Sequence, residues 1–364
     1  MVPGDVGAEI SRLLRAGVAT GEWPAPAARM SAAGTWRPAP ATISTGAGSY
    51  ATALPLALAR LSRRPAVAEA ATLAAGLRSL PWISAARVTG DGYLTITVTT
   101  AHLAALPARI VAAGQAAADS DALAGRELTA PARPEPGAAA SWRQAWQEQR
   151  DALTGHLARA AGAEVLFLDS QQNLAPSPPP QAGLDQVPVS VAGAVGYHGR
   201  DAVRYALARA SAPREDRVIR QLRLPLDLDN PFVAVRYAHA DAASALRWAA
   251  DLGLAEDGEP AVAAAGQFLP PELALLDAMS WLPERVAAAA RRRRPAELAA
   301  YLEFLGRMWL DCRESCPALP FQGHAAPAPE NAGHRAARLG LADAARGALA
   351  CGLGLLGIVA PARM

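Results

Sequence analysis

The sequence predicts two folded units of different class, an α+β N-terminal domain joined to an all-α helix bundle. Three observations carry this expectation. Before residue 115, helical periodicities surround an alternating, β-branched segment that turns at Thr89-Gly90-Asp91-Gly92. From about residue 193 onward only helical periodicity recurs, punctuated by caps and stops. Apolar residues make up 51% of the 364, enough for more than one core, but much of that is alanine. Alanine buries little area, so the cores should be helical and anchored by Leu and Val.

Residues 4–18 read as an amphipathic helix with Val6, Ile10, Leu13, Leu14 and Val18 on one stripe and Glu9, Arg12 and Arg15 off it. Recurrent proline and glycine between Trp23 and Thr45 predict a surface loop. Ser49 is placed to cap a helix through Leu54, Leu58 and Leu61, although Pro55 within it demands a late start. A third helix is expected from Pro65 to about Leu80, followed by a β-hairpin of residues 83–88 and 93–100.

Residues 115–192 are less regular. Proline-rich stretches at 131–136 and 176–180 read as linkers, which predicts separable end domains. Between them Trp142 and Trp146 mark a helix continuing to about Ala161; the pair is open to a core role or a base-stacking one. Residues 163–169 and 187–191 read as buried strands.

In the last unit, Gly199 and Asp201 start a helix that Pro213 stops. Asn230-Pro231 is a cap followed by a first-turn proline, and Val233, Val235, Ala238, Ala242, Leu246 and Ala249 form the buried stripe up to Gly253. Further helices are expected at 273–290, 295–310 and 335–356, giving a bundle of about five.

The net charge is +2, too mild to mark a nucleic-acid binder by bulk electrostatics, so any such surface must be a local patch. The most basic run is Arg291-Arg292-Arg293-Arg294, which suits either a solvated face or a phosphate track. Lysine is absent and all 35 basic residues are arginine, so no P-loop or Schiff-base lysine exists. Three dispersed cysteines fit a reducing compartment. The N-terminal residues lack a basic segment followed by an apolar run, and no apolar stretch of about 18 residues is free of charge and proline. A cytoplasmic protein without signal peptide or membrane span is the expectation.

Gly352, Gly354 and Gly357 spell a dinucleotide-like pattern, yet they lie in a terminal helix with no strand before it, so close helix packing is the better explanation. Cys312 and Cys316, with His324 and His334 downstream, lack the tighter spacing that structural zinc sites favour, and no metal is expected. Asp227 and Asp229 read as helix-approach residues, and no histidine, serine or cysteine is spaced for nucleophilic catalysis. No cofactor and no catalytic residue are expected.

Three short motifs remain: Asp201-Ala202-Val203-Arg204-Tyr205; Val235-Arg236-Tyr237-Ala238-His239-Ala240 after Asp229-Asn230-Pro231; and the terminal Ala360-Pro361-Ala362-Arg363-Met364. In this order and separation they resemble the anticodon-binding helical domain of arginyl-tRNA synthetases, with its D-A-L-R-type helix and A-P-x-R-M tail. Gly48-Ser49-Tyr50-Ala51-Thr52-Ala53 is similar to the G-D-Y-A-T-N-like signature of that family's N-terminal domain, departing from it at Ser49 and Ala53. The resemblance implies an N-terminal tRNA-corner domain at 1–114, a linker with a possible catalytic-domain remnant at 115–192, and an anticodon-binding domain at 193–364. It implies tRNA as partner, with arginine tRNA one candidate and no preference among tRNAs assigned, no DNA and no membrane; a protein partner in translation is left open.

The tRNA contacts it implies are Tyr50, Arg204, Arg236, Tyr237, His239, Arg291, Arg292, Arg293, Arg294, Arg363 and Met364. Two alternatives stay open: Tyr50 as a contact or a buried aromatic, and Tyr237 as a stacking ring or a bundle-packing one. Asp241 stands where the family commonly has arginine, which implies a weaker hold on phosphate. The family's class I catalytic domain stabilises phosphate charge with H-x-G-H and K-M-S-K elements. None of His102, His156, His198, His239, His324 and His334 forms the first, the second needs lysine, and residues 115–192 are too few for a doubly wound sheet. The expected function is therefore tRNA binding without an aminoacylation site. Its rivals are arginine–tRNA ligase activity, alone or with a partner catalytic chain, and a protein-interaction module that has lost RNA binding.

Overall fold

The computed structural model describes residues 2–30, 36–37, 46–168, 190–254, 268–319 and 332–364. The chain opens with helix α1 (Val2–Ala19), strands β1 (Trp36–Arg37) and β2 (Ser49–Thr52), helices α2 (Leu54–Ser62) and α3 (Ala66–Arg78), and the hairpin β3 (Ile83–Thr89) and β4 (Tyr93–Val98). The four strands form an antiparallel sheet in the order β1-β2-β4-β3. Gly90 and Gly92, at φ of 55° and 115°, make the hairpin turn. Leu94, Ile96 and Val98 point into the core while Thr95 and Thr97 are half-buried, as the alternation predicts.

Ser49 does not cap a helix. It lies in β2 opposite Thr97, hydroxyl to hydroxyl at 3.0 Å, and the helix starts only at Leu54, whose N–H donates to Thr52 Oγ1 at 3.1 Å. Pro55, lacking an N–H, is tolerated only in a first turn, which moves the helix start past the Ser49 signal.

Two short helices, α4 (Thr100–Ala104) and α5 (Leu106–Ala113), lead to β5 (Glu127–Pro131), α6 (Trp142–Ala160) and β6 (Glu164–Leu168). β5 and β6 pair in parallel and α6 makes the crossover, forming one βαβ unit. The proline-rich 131–136 stretch is thus no free linker, since Pro131 ends a strand and Arg204 holds Pro134 and Glu135. Nor is β6 buried: Leu166 and Leu168 are exposed because α6 covers one face of only two strands. The 176–180 stretch and residues 187–189 lie outside the described residues; Val191 begins a helix rather than a strand, with Ser190 as its cap.

α6 approaches the strands through Gly155, where a Cβ would overlap the Ala130 methyl and press on the Phe167 ring at 3.1 Å. Gly155→Ala should therefore destabilise by roughly 1–3 kcal/mol of overpacking, against about 1 kcal/mol regained in helix propensity. Urea unfolding checks this, and Ala130→Gly should restore part of the loss.

The remaining helices are α7 (Val191–His198), α8 (Arg200–Arg209), α9 (Glu215–Leu222), α10 (Pro231–Asp251), α11 (Pro270–Ser280), α12 (Leu282–Arg292), α13 (Pro295–Ser315) and α14 (Ala332–Leu356). The bundle has eight helices among the described residues, more than the five or so expected. Short α7 and α9 were not legible as separate helices, and the helix predicted at 273–290 is broken at Trp281, ahead of Pro283. Asn230 caps α10 as predicted, accepting the Phe232 N–H at 3.1 Å. Gly352 lets α14 lie directly on Leu302, while Gly357, at φ 76°, stands just past the helix in the left-handed region that suits glycine. α14 is long and apolar enough to cross a membrane by length and composition, but 61% of its apolar window is buried within the fold.

One hydrophobic core runs from α1, β2 and β4 through α11–α14, so the end domains are not separable bodies. A second core joins Trp142 and Trp146 to Val191, Val203, Leu207 and Val218, which gives the tryptophan pair a packing role.

Candidate nucleic-acid interface

The first two motifs each hold the C-terminal segment of the chain. Asp201 Oδ2 accepts the Val359 N–H at 3.0 Å. Arg204, only 11% exposed, donates to Gly357 O and Pro134 O, both at 3.4 Å, and pairs with Glu135 at 3.1 Å. Buried His239 donates Nδ1–H to Pro361 O at 2.8 Å, and burial lowers its pKa, favouring the neutral ring. Arg247 donates to Ala362 O at 2.7 Å. At the end of α14 Arg133 donates to Gly354 O and Leu355 O, whereas the carbonyls held by His239 and Arg247 belong to the tail beyond the helix.

Arg204 and His239 are therefore turned inward as a latch on the C-terminal tail, which corrects their expected place as RNA contacts. Tyr50 is corrected likewise. It is fully buried, its hydroxyl 3.2 Å from Ser280 Oγ and its ring edge-on to Trp281, because β2 packs against α11. Arg236 is half-buried over the Phe232 ring at 4.8 Å. Tyr237 is 36% exposed, and the latched tail leaves Arg363 and Met364 exposed. Asp241 does not face outward. It is buried against α13, accepting Trp309 Nε1–H at 3.0 Å and pairing with Arg313 at 3.2 Å, so its charge is compensated within the bundle.

The Arg291–Arg294 run ends α12. Arg291 and Arg292 occupy the last turn, and Arg293 adopts the left-handed conformation at φ 53° that closes it. Cations here also complement the helix C-terminus. Glu297 pairs with Arg292 at 2.8 Å and with Arg294 at 3.8 Å, and Glu284 acts electrostatically on Arg291, so two carboxylates stand against four exposed guanidiniums. A groove of about 750 Å³ runs beside Arg292, Arg293 and Arg294, bounded across by Arg150, Trp146 and Ser211. Arg150 lies over the Trp146 ring at 4.8 Å, a groove wall missed in the sequence although its i, i+4 spacing was visible. Such a groove can hold phosphate but presents no nucleophile with a base beside it.

No cluster able to hold a metal exists among the described residues; His324 lies outside them. Burial pushes the Cys312 thiol up to about 12, which leaves it unreactive.

His156, stacked on Phe167, is held neutral. Burial first, then Arg133 and Arg159, push its pKa down to about 4. The unfolded chain takes up that proton first, so the stability is fully present above about pH 6.5 and is lost as pH falls toward 4. The loss should be about 1–3 kcal/mol after allowance for partial exposure. Urea midpoints across this window should fall in the native chain and much less in His156→Gln.

Residues 235–364 match the DALR anticodon binding domain. The chain is 41% identical over 172 residues to the arginine–tRNA ligase of Frankia alni, covering 46% of this chain and 29% of that protein. It is 36% identical over 171 residues to the arginine–tRNA ligase of Micrococcus luteus, covering 47% and 30%. The chain thus matches less than a third of the length of these relatives. Its fold is similar to Thermus thermophilus arginyl-tRNA synthetase, with a TM-score of 0.60 at 15% identity and coverage of 100% of each chain. The resemblance read from the three motifs is borne out, and an anticodon-binding domain is present.

Proposed function

We propose that this chain binds folded tRNA, through arginine contacts to phosphate, without carrying an aminoacylation site of its own. The observation that carries the reading is the exposed arginine groove at the α12–α13 turn, built onto a domain of the anticodon-binding type. Four guanidiniums against two carboxylates leave a net positive patch that attracts a polyanion, and such contacts hold a backbone without reading its sequence. Tyr237, Arg363 and Met364 offer an exposed aromatic, a cation and a flexible apolar group where an unpaired base would be read. Lack of lysine, and of any histidine pair in the H-x-G-H spacing, argues against ATP chemistry in this chain. The place of action is the cytoplasm, where tRNA is charged and used.

Binding of the native protein to total tRNA, titrated against salt, tests this. Tight binding at low salt with a steep negative salt slope is the expected result; no binding at low salt would sink the proposal. Incubation with ATP, arginine and tRNA should yield no arginyl-tRNA, and clear charging would establish the ligase reading instead.

A further inference from the structure

The C-terminal end of α10 carries an exposed aromatic that neither the fold nor the motifs use. Trp248 is 54% exposed, and its indole N–H has no partner among the described residues. It lines two clefts at once. One, of about 530 Å³, is mainly apolar and includes Trp309 and Leu341, with Asp241 engaged in its wall. The other, of about 310 Å³, is formed with Arg247 and Arg363. Asp251 is shared by both. Arg363 makes no ion pair or hydrogen bond among the described residues, whereas Arg247 is partly spent on Ala362 O and Ser244.

A ring between an apolar cleft and a cationic one has the division of a nucleotide. We propose that Trp248 is a stacking platform for one unpaired RNA nucleotide, its base in the apolar cleft and its phosphate on Arg363 and Arg247. Asp251, at the boundary, stands where a ribose lies and accepts from its hydroxyls, which favours RNA over DNA. A stacked base is sequence-tolerant, because every base has a π-face. The inference rests on the tRNA-binding reading and adds a position that the three motifs do not include.

The test uses the full chain and a labelled, unstructured single-stranded heptaribonucleotide, read by fluorescence anisotropy at low salt. Trp248→Ala should weaken binding roughly 5- to 150-fold, and Trp248→Phe should retain most of it. Arg363→Gln should lower the salt slope by about one contact. The deoxy heptamer should bind more weakly, and Asp251→Asn should narrow that difference. If tRNA binds as proposed but Trp248→Ala leaves heptamer affinity unchanged, or the native chain ignores the heptamer, this inference is overturned and the tRNA reading stands. If neither RNA binds, both fall.

Discussion

Replacing Arg291, Arg292, Arg293 and Arg294 together by glutamine is expected to weaken tRNA binding roughly 100-fold near 50 mM salt and to flatten the salt slope by about two. Each phosphate neutralised contributes close to one unit of slope, so two working contacts among the four arginines account for both figures. The loss should be nearly the same for different tRNAs, because these contacts carry no base information. Folding should change little. The side chains are exposed and their pairs with Glu297 are surface pairs of the kind that contribute at most about 1 kcal/mol. Filter binding at several salt concentrations, with a urea melt as control, gives both readings. An unchanged slope would place the tRNA elsewhere on the protein. Tyr237→Ala is the contrasting variant: it should leave the slope alone and reduce any preference among anticodons.

Removing the Arg204 side chain should cost about 2–3 kcal/mol of stability, an effect that a surface RNA contact would not produce. Arg204 holds two backbone carbonyls and Glu135 while almost fully covered, and losing a charged donor leaves those acceptors unsatisfied. Asp201→Ala removes the acceptor for Val359 N–H and should raise hydrogen exchange at that amide. Both changes should also weaken RNA binding indirectly, since Arg363 and Met364 are positioned only by the latched tail. If Arg204→Ala lowered tRNA affinity with stability and Val359 exchange intact, direct contact would be the correct assignment.

Several elements were legible because local chemistry sets them. Asn230-Pro231 starts α10 through a side-chain cap and a first-turn proline, and the glycines after Thr89 close the hairpin. The motif order alone pointed to the anticodon-binding domain that the comparison bears out. Ser49 shows where local signals compete: the same hydroxyl suits a cap or a cross-strand pair, and β4 decided it.

The sequence by itself thus determined the helical class of the C-terminal unit, its kinship and its lack of lysine chemistry, because caps, periodicity and composition act within a few residues of chain. Only the tertiary structure decided which motif residues reach solvent. Arg204 and His239 turn inward because carbonyls of the irregular tail after α14, Gly357 O and Pro361 O, must find donors, and those donors lie more than a hundred residues back in the chain. Trp248 and Arg363 meet for the same reason: the tail is drawn across α10 by bonds whose partners no local pattern brings together.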